Sequence, residues 1–383
     1  MSKLHPFLSI LSTSPKHSVS PRSIKPIDLL HRYSQSSPRL QLQQTAAMSI
    51  NQFQAVQKGG PFRLVQAPLP KPGPNEVCIR PKVVAINAID YKNLKFGATV
   101  SEWPNVLGIE GAGTVESVGQ GVTRFKAGDE VFTWLQRSQY NGAFQDVFTA
   151  NESTVAKKPA SLSFEEAASL GITFLTGAAT VAAGLRIPLS GFAAKSTDYT
   201  STPPQSILVL GGSSGVGAVA IQLLRAALPS ATIISTSSAQ HHAHLKSLGA
   251  TTTLERSAQD NAATIKAATP GGAGVDAIID AVGAAAKAAA VYDAFKSDGL
   301  KLYTLVITGP GVEPPKGFEV SLVGGITVLK KEPTIMQYLT ELLESGKYKL
   351  PQKVEVVGQG WESVEKGLDK VSSVSGTKLV VKL

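Results

Sequence analysis

The feature that most constrains the fold is the stretch ILVLGGSSGVGAVAIQLLRAA, Ile207–Ala227. An unbroken apolar run ends in a glycine-rich turn, and a helical pattern follows at once. Apolar runs without polar alternation are strands covered on both faces. A helix opening at such a turn aims its free N–H groups and the positive end of its dipole at whatever sits there. That arrangement suits a pyrophosphate. The dinucleotide fingerprint wants glycine at three places, here held by Gly212, Ser214 and Gly217. Gly215 is an extra glycine, and Ser213 and Val216 complete the turn. A serine fits at 214 if its Cβ points away from the phosphates, and its hydroxyl is then a donor.

The next strand, in ATIISTSSAQHH, is informative by what it lacks. About 20 residues after the loop, an NAD enzyme offers Asp or Glu to the ribose 2′-hydroxyl. Here the strand ends Ser235-Thr236-Ser237-Ser238, with no acid nearby. Hydroxyls donate to a 2′-phosphate and a carboxylate repels it, so the expected cofactor is NADPH. Candidates for its cationic partner are Gln240, His241, His242 and Arg256, of which Arg256 is always charged. The cluster His241-His242-x-His244 has three readings: a solvated helix start, a neighbour of the phosphate, or a metal site.

Around the loop, β and α segments alternate: SILVL, a helix from Val216, ATIIS, a helix through Leu248, DAIID, an Ala-rich helix and LKLYTLV. That order implies a doubly wound parallel α/β domain. Upstream, VCIRPKVVAIN (Val77–Asn87), GAGTVESVG (Gly111–Gly119) and DEVFTW (Asp129–Trp134) alternate like half-buried antiparallel strands, which predicts a small barrel-type β domain. Between the two, LSFEEAASLGITFLTGAATVAAGL reads as helical, with Ser163 as N-cap. Residues 187–206 read as a polar, Pro-rich loop. After a helix around Thr334–Ser345, KVEVVG and TKLVVKL are expected to return to the first domain.

Bulk properties narrow the class. A chain of 383 residues is comfortable for two domains. No apolar run approaches the roughly 18 residues of a membrane span. The single cysteine, Cys78, rules out an intramolecular disulfide and a Cys-cluster zinc site. The net charge of +9 does not indicate nucleic acid. More than half of it lies in residues 1–47, where Lys3, Lys16, Arg22, Lys25, Arg32 and Arg39 face only Asp28. This Ser-, Pro- and Gln-rich segment reads as a disordered tail or as a mitochondrial presequence, although its prolines break a long amphipathic helix. Translation from Met48 is a third reading. The expected location is cytoplasmic, or mitochondrial if the segment is a presequence.

VLGIEGAGT, Val106–Thr114, sets one carboxylate, Glu110, among glycines and aliphatic residues. A buried charge needs a partner. Ile109, which precedes it, has no lone pair for a metal.

Taken in order, NAIDYK (Asn87–Lys92), GIEGAGTVESVG, FKAGDEVF, GAFQD, LTGAAT, GGSSGVG, LKSLGA, DAIIDAVG and VSGTKLVV resemble the medium-chain dehydrogenase/reductase superfamily over nearly everything after Met48. The resemblance implies a GroES-like domain with a Rossmann domain inserted into it. The expected boundaries are 48–170 for the first GroES-like part, 171–344 for the Rossmann domain and 345–383 for the return. Zinc-using members carry Cys near the position of Ala88, His at that of Ile109 and a four-cysteine lobe. This chain has none of these, so it resembles the zinc-independent branch, with no metal and with Glu110 satisfying backbone donors or a cation. Within that branch it looks most like fungal enoyl reductases that act in trans with polyketide synthases. It departs from them at Ser238-Ala239-Gln240-His241 and in lacking Tyr near Arg256.

By that resemblance the β-carbon of an enone or enoyl thioester takes hydride from NADPH, and the enolate oxygen and α-carbon then need donors. NAIDYK would line the nicotinamide pocket. Tyr91 and Lys92 are candidate hydrogen-bond or proton donors, with a packed Tyr91 and a surface Lys92 as the alternative. Asn87 would orient ribose or carbonyl. Ile89 and Asp90 would neighbour the cofactor, as would Thr173 and Thr176 on the adjacent helix. Leu305 and Val306 would face the carboxamide, and Val374 and Ser375 would reach the cofactor from the C-terminal motif. The implied partner is a small-molecule substrate or a carrier-bound acyl chain, handled by a monomer or homodimer. A quinone oxidoreductase shares every motif, and a non-catalytic NADPH-binding protein is a reading of another class.

Overall fold

The computed structural model describes residues 48–136, 138–189, 202–299, 301–307 and 312–383. The readings of residues 1–47, and most of the loop read at 187–206, lie outside the described residues.

The chain first builds antiparallel structure. Strands β1 (Ser49–Ala55) and β2 (Phe62–Pro68) pair, and β3 (Glu76–Ile86) leads into helix α1 (Ala88–Phe96). Four more strands follow β4 (Asn105–Val106): β5 (Glu110–Val118), β6 (Glu130–Trp134), β7 (Phe148–Asn151) and β8 (Val155–Lys157). Helices α2 (Phe164–Ala168) and α3 (Gly171–Ala179) connect to the second half.

That half alternates β9 (Ser206–Leu210), α4 (Gly215–Ala227), β10 (Thr232–Thr236), α5 (His242–Ser247), β11 (Thr252–Leu254), α6 (Ala262–Ala267) and β12 (Ala277–Asp280). Strands β13 (Leu302–Val306) and β14 (Glu319–Val323) complete it. The chain then runs through α7 (Gly325–Lys331), α8 (Ile335–Glu344), β15 (Lys353–Gln359), α9 (Glu362–Lys370) and β16 (Thr377–Lys382).

The second half is a six-stranded sheet in the order β11-β10-β9-β12-β13-β14, parallel throughout. This is the doubly wound order, whose direction reverses beside β9 and so leaves a crevice at the strand carboxyl ends. Strands β9, β12 and β13 are buried along their whole length, as their apolar runs require. The first half forms a three-stranded sheet, β2-β1-β4, and supplies five strands of a seven-stranded sheet in which β3 pairs with β5 and β5 with β6, all antiparallel. The α/β class and the two-part architecture expected from the sequence are both present. Strand β16 pairs antiparallel with β3, and β15 runs parallel beside β16. The last stretch of chain thus sits in the barrel sheet, next to the strand that leads into α1.

Two segments differ from their sequence patterns. The stretch read as one helix across Leu162–Leu185 breaks at Ser169–Leu170, and α3 starts afresh at Gly171. The Ala-rich segment after β12 is not an α-helix but two short 3-10 turns, Ala284–Ala286 and Ala289–Ala294. Alanine favours helix by propensity, but tertiary contacts override it. Here the buried Asp280 carboxylate accepts from the N–H groups of Val282, Ala284 and Ala285, at 3.2, 2.9 and 3.0 Å, and folds the chain over itself. The Tyr303 hydroxyl adds a fourth bond to that carboxylate at 2.8 Å.

Candidate active site

A cleft of about 850 Å³ opens at the carboxyl ends of β9, β12 and β13 and runs to the barrel half. The turn after β9 forms one wall, with Gly211, Ser213, Ser214, Gly215 and Val216 in its lining. Ser214 is the N-cap of α4: its Oγ accepts from Gly217 N at 3.1 Å, which leaves its hydroxyl hydrogen unused by the cap. Gly215 and Val216 belong to the first helical turn, whose N–H groups have no acceptor within the helix. A Cβ on Gly215 would stand 2.5 Å from Thr173 Cγ2 and 2.6 Å from Gln352 Oε1, so a side chain there would fill the cradle. These features fit a dinucleotide pyrophosphate.

The charges agree. Among the described residues, the ionisable side chains lining the cleft are Lys92, Arg256 and Lys378, all cationic. No described carboxylate, histidine or cysteine lines it. Nor do the described residues contain a group of three His, Cys, Asp or Glu able to hold a metal ion.

At the far end of β10, hydroxyls and cations meet across the two halves. Ser375, just before β16, has its Oγ 3.0 Å from His241 Nε2 and 3.4 Å from Arg256 Nη2. Gly376 permits this contact: its φ is +63°, and a Cβ there would lie 2.4 Å from His241 Cε1. Burial, then the charge of Arg256, pushes the His241 imidazole below its ordinary value. The other groups acting on it are His244, Lys353 and His242, so every charge facing the ring is positive or becomes so on protonation. The histidines do not converge. His242 Nε2 meets Ser237 O at 3.4 Å and His244 Nε2 meets Pro351 O at 3.1 Å. Each ring is engaged on a different segment.

Of the residues expected to hold cofactor, Asn87, Lys92, Thr173, Thr236, Leu305, Val306 and Val374 line the cleft along with the turn, Arg256 and Ser375. Others do not. Ser235 is fully buried beneath the turn: a Cβ on Gly212 would stand 1.9 Å from its Oγ. Strand side chains alternate between faces, so Thr236 reaches the cleft and its neighbours Ser235 and Ser237 do not. Ser237 is buried, and its Oγ bonds Ser238 O at 3.2 Å. Ser238 and Gln240 flank the His241 cluster rather than the cleft wall. Gln240 Nε2 lies 3.2 Å from His241 Nε2. Gly212 and Gly217 shape the turn from behind. Ile89 packs on the main core, and Asp90 is buried and accepts from Asn87 N at 2.9 Å. Tyr91 takes the packing alternative, edge-on to Phe96 with ring centroids 6.3 Å apart. Thr176 is buried beside Gly325 and off the cleft wall. Lys92 does reach the cleft, and burial pushes its amine below the ordinary lysine value.

Lys378 is a cleft residue that the sequence reading missed. It is buried, lines the cleft, and pairs with Glu110. Glu110 Oε2 also accepts from Ile172 N at 2.9 Å. Helix α3 has no side-chain cap of its own at Leu170, so Glu110 caps it from the barrel. The carboxylate in VLGIEGAGT thus holds a backbone donor and a cation together, and it breaks the helical stretch where α3 begins.

Comparison with known proteins agrees with this architecture. Residues 73–160 match the alcohol dehydrogenase GroES-like domain family and residues 215–341 the zinc-binding dehydrogenase family. The chain is 32% identical over 352 residues to a dehydrogenase of Aspergillus niger, covering 86% of this chain and 99% of that one. It is 30% identical to a trans-enoyl reductase of Aspergillus flavipes, over 85% and 97% of the two chains. A solved quinone oxidoreductase from Pseudomonas syringae pv. Tomato superposes with a TM-score of 0.64 at 27% identity, over 88% and 100%. The fold and the family matches define an oxidoreductase whose family neighbours are nicotinamide-dependent. The chain belongs to the medium-chain dehydrogenase/reductase superfamily.

Proposed function

We propose that this protein uses NADPH, without zinc, to reduce the C=C bond of an α,β-unsaturated carbonyl or enoyl thioester. The observation that carries the reading is the cleft lining. Among the described residues it holds no metal ligand, yet it places a half-buried lysine of lowered basicity, Lys92, in the same cleft as the pyrophosphate cradle. Without a Lewis acid, carbonyl reduction lacks its usual activation. Conjugate reduction asks less of the protein. Bound NADPH would supply the hydride to the β-carbon and would be released as NADP⁺. The π electrons move onto the carbonyl oxygen, and the α-carbon then takes a proton from the Lys92 ammonium. Burial makes that ammonium a better acid than a solvated lysine. Leu305, Val306, Ile307 and Leu322 give the lining an apolar stretch.

NADPH is favoured by the Arg256–Ser375–His241 cluster, where a guanidinium, a hydroxyl and an imidazole meet with no carboxylate among them. The trans-enoyl reductase relatives support a thioester substrate, small or carrier-bound. Stopped-flow oxidation of bound NADPH tests the reading, against an enoyl thioester, an enone, an ortho-quinone and an aldehyde. Fast oxidation by the first two, and slow reaction from NADH, is expected. Oxidation by the quinone alone would make the protein a quinone reductase instead. Silence with all four acceptors, despite tight NADPH binding, would overturn catalysis.

A further inference from the structure

We propose that Gln352, carried by the segment just before β15, is a positioning residue for the cofactor: its side-chain amide locks the phosphate turn in the form that receives a pyrophosphate. This rests on the dinucleotide part of the reading above.

The inference starts from a backbone oxygen. A phosphate cradle offers N–H groups, and a carbonyl turned into it would repel the ligand. Ser213 and Ser214 both line the cleft, so the oxygen of the peptide between them needs a partner elsewhere. Gln352 supplies it: its Nε2 donates to Ser213 O at 3.3 Å. A carbonyl oxygen only accepts, so the amide must turn its NH₂ to Ser213. The other end of the same peptide, Ser214 N, donates to Gly211 O at 2.9 Å. The peptide is thus held at both ends, once from within the turn and once by a residue 139 positions away. Gly217 N is taken by Ser214 Oγ, which leaves the N–H groups of Gly215 and Val216 at the head of α4 for a ligand.

Gln352 lines the cleft too, and Gly215 makes room for it, since a Cβ there would lie 2.6 Å from Gln352 Oε1. The amide therefore reaches along the turn from Ser213 to Gly215. The segment that carries it is fastened to the helix it serves. Lys349 N donates to Gln222 Oε1 at 2.9 Å, and Gln222 Nε2 donates back to Lys349 O at 3.1 Å. Gln222 lies on α4. Pro351 O, one residue before Gln352, is 3.1 Å from His244 Nε2 on α5. These bonds set the backbone on which the amide stands before any cofactor arrives, so less ordering is left to be done on binding.

Gln352→Met is the decisive variant, because it keeps the bulk and removes the donor. Gln352→Lys puts a donor back. Binding of NADPH, NADH and adenosine 2′-phosphate to the full chain would be measured by calorimetry, alongside thermal melting. The third ligand has the adenosine and the 2′-phosphate but no pyrophosphate. Gln352→Met should weaken NADPH and NADH by the same factor, about 3–10-fold, which is the net worth of one hydrogen bond. Adenosine 2′-phosphate binding and melting should be nearly unchanged, and Gln352→Lys should recover part of the lost affinity for both dinucleotides. Unchanged dinucleotide affinity in Gln352→Met would overturn the proposal. So would a loss confined to NADPH, which would move the effect to the 2′-phosphate, or an equal loss for all three ligands, which would mark general damage to the cleft. Should the wild-type protein bind neither dinucleotide, the cofactor reading itself falls, and this proposal with it.

Discussion

Lys92 is where a single side chain matters most for the proposed reaction. Its amine is held below the ordinary lysine value by burial. In the proposed reaction protonated Lys92 is the active form, so turnover should be sustained at low pH and lost as pH rises through its pKa. That limb should fall below the range of a solvated lysine. Removing the group, in Lys92→Met, should abolish the limb and lower kcat by about 10²–10⁴-fold. A pH–rate profile of kcat for both proteins checks this. An identical basic limb in the variant would assign it to another group. Lys92 was legible from NAIDYK, but Tyr91 beside it was not separable by sequence. Only the helix direction shows that Tyr91 turns to Phe96 while Lys92 turns to the cleft.

At the level of elements, the phosphate turn was readable because it is local. Strand, turn and helix are consecutive, and Ser214 caps the helix from within the same stretch. Elements that take their ends from elsewhere were not readable. Helix α3 owes its start to Glu110, 62 residues earlier. The Ala-rich stretch loses its helix to Asp280, whose bonds no propensity scale contains. Ser235 and Ser237 were misplaced for a different reason: a strand's alternation sends neighbours to opposite faces, and only Thr236 of the three lines the cleft. The capping role makes a stability prediction. Glu110→Ala leaves the buried Lys378 charge unpaired and α3 uncapped, and breaking a buried pair in this way costs about 3–5 kcal/mol. Urea denaturation should show a loss of that order. A change within about 0.5 kcal/mol, typical of a surface site, would contradict the cap.

Across the whole molecule, the decisive contacts join distant parts of the chain. Lys378 reaches Asn87 over a separation of 291 residues, and Ser375 reaches His241 over 134. Both depend on β16 returning to the barrel sheet, so neither pairing is written in any short motif. The family and its two-part fold could be read from ordered motifs, whereas the closing segment's chemistry could not. That segment brings Ser375 to Arg256, which gives a prediction about cofactor choice. Arg256→Ala should weaken NADPH binding and leave NADH binding nearly unchanged, as titrations of cofactor fluorescence would show. Equal losses for both cofactors would place Arg256 outside any 2′-phosphate site.

The claim that all of this serves is reduction of a C=C bond rather than of a carbonyl. NADPH deuterated at the transferred position of the nicotinamide, turned over with an enone, tests it most directly by NMR of the product. The account predicts one deuterium at the β-carbon of a saturated ketone and a solvent proton at the α-carbon. Deuterium on a carbinol carbon, with the double bond intact, would contradict it.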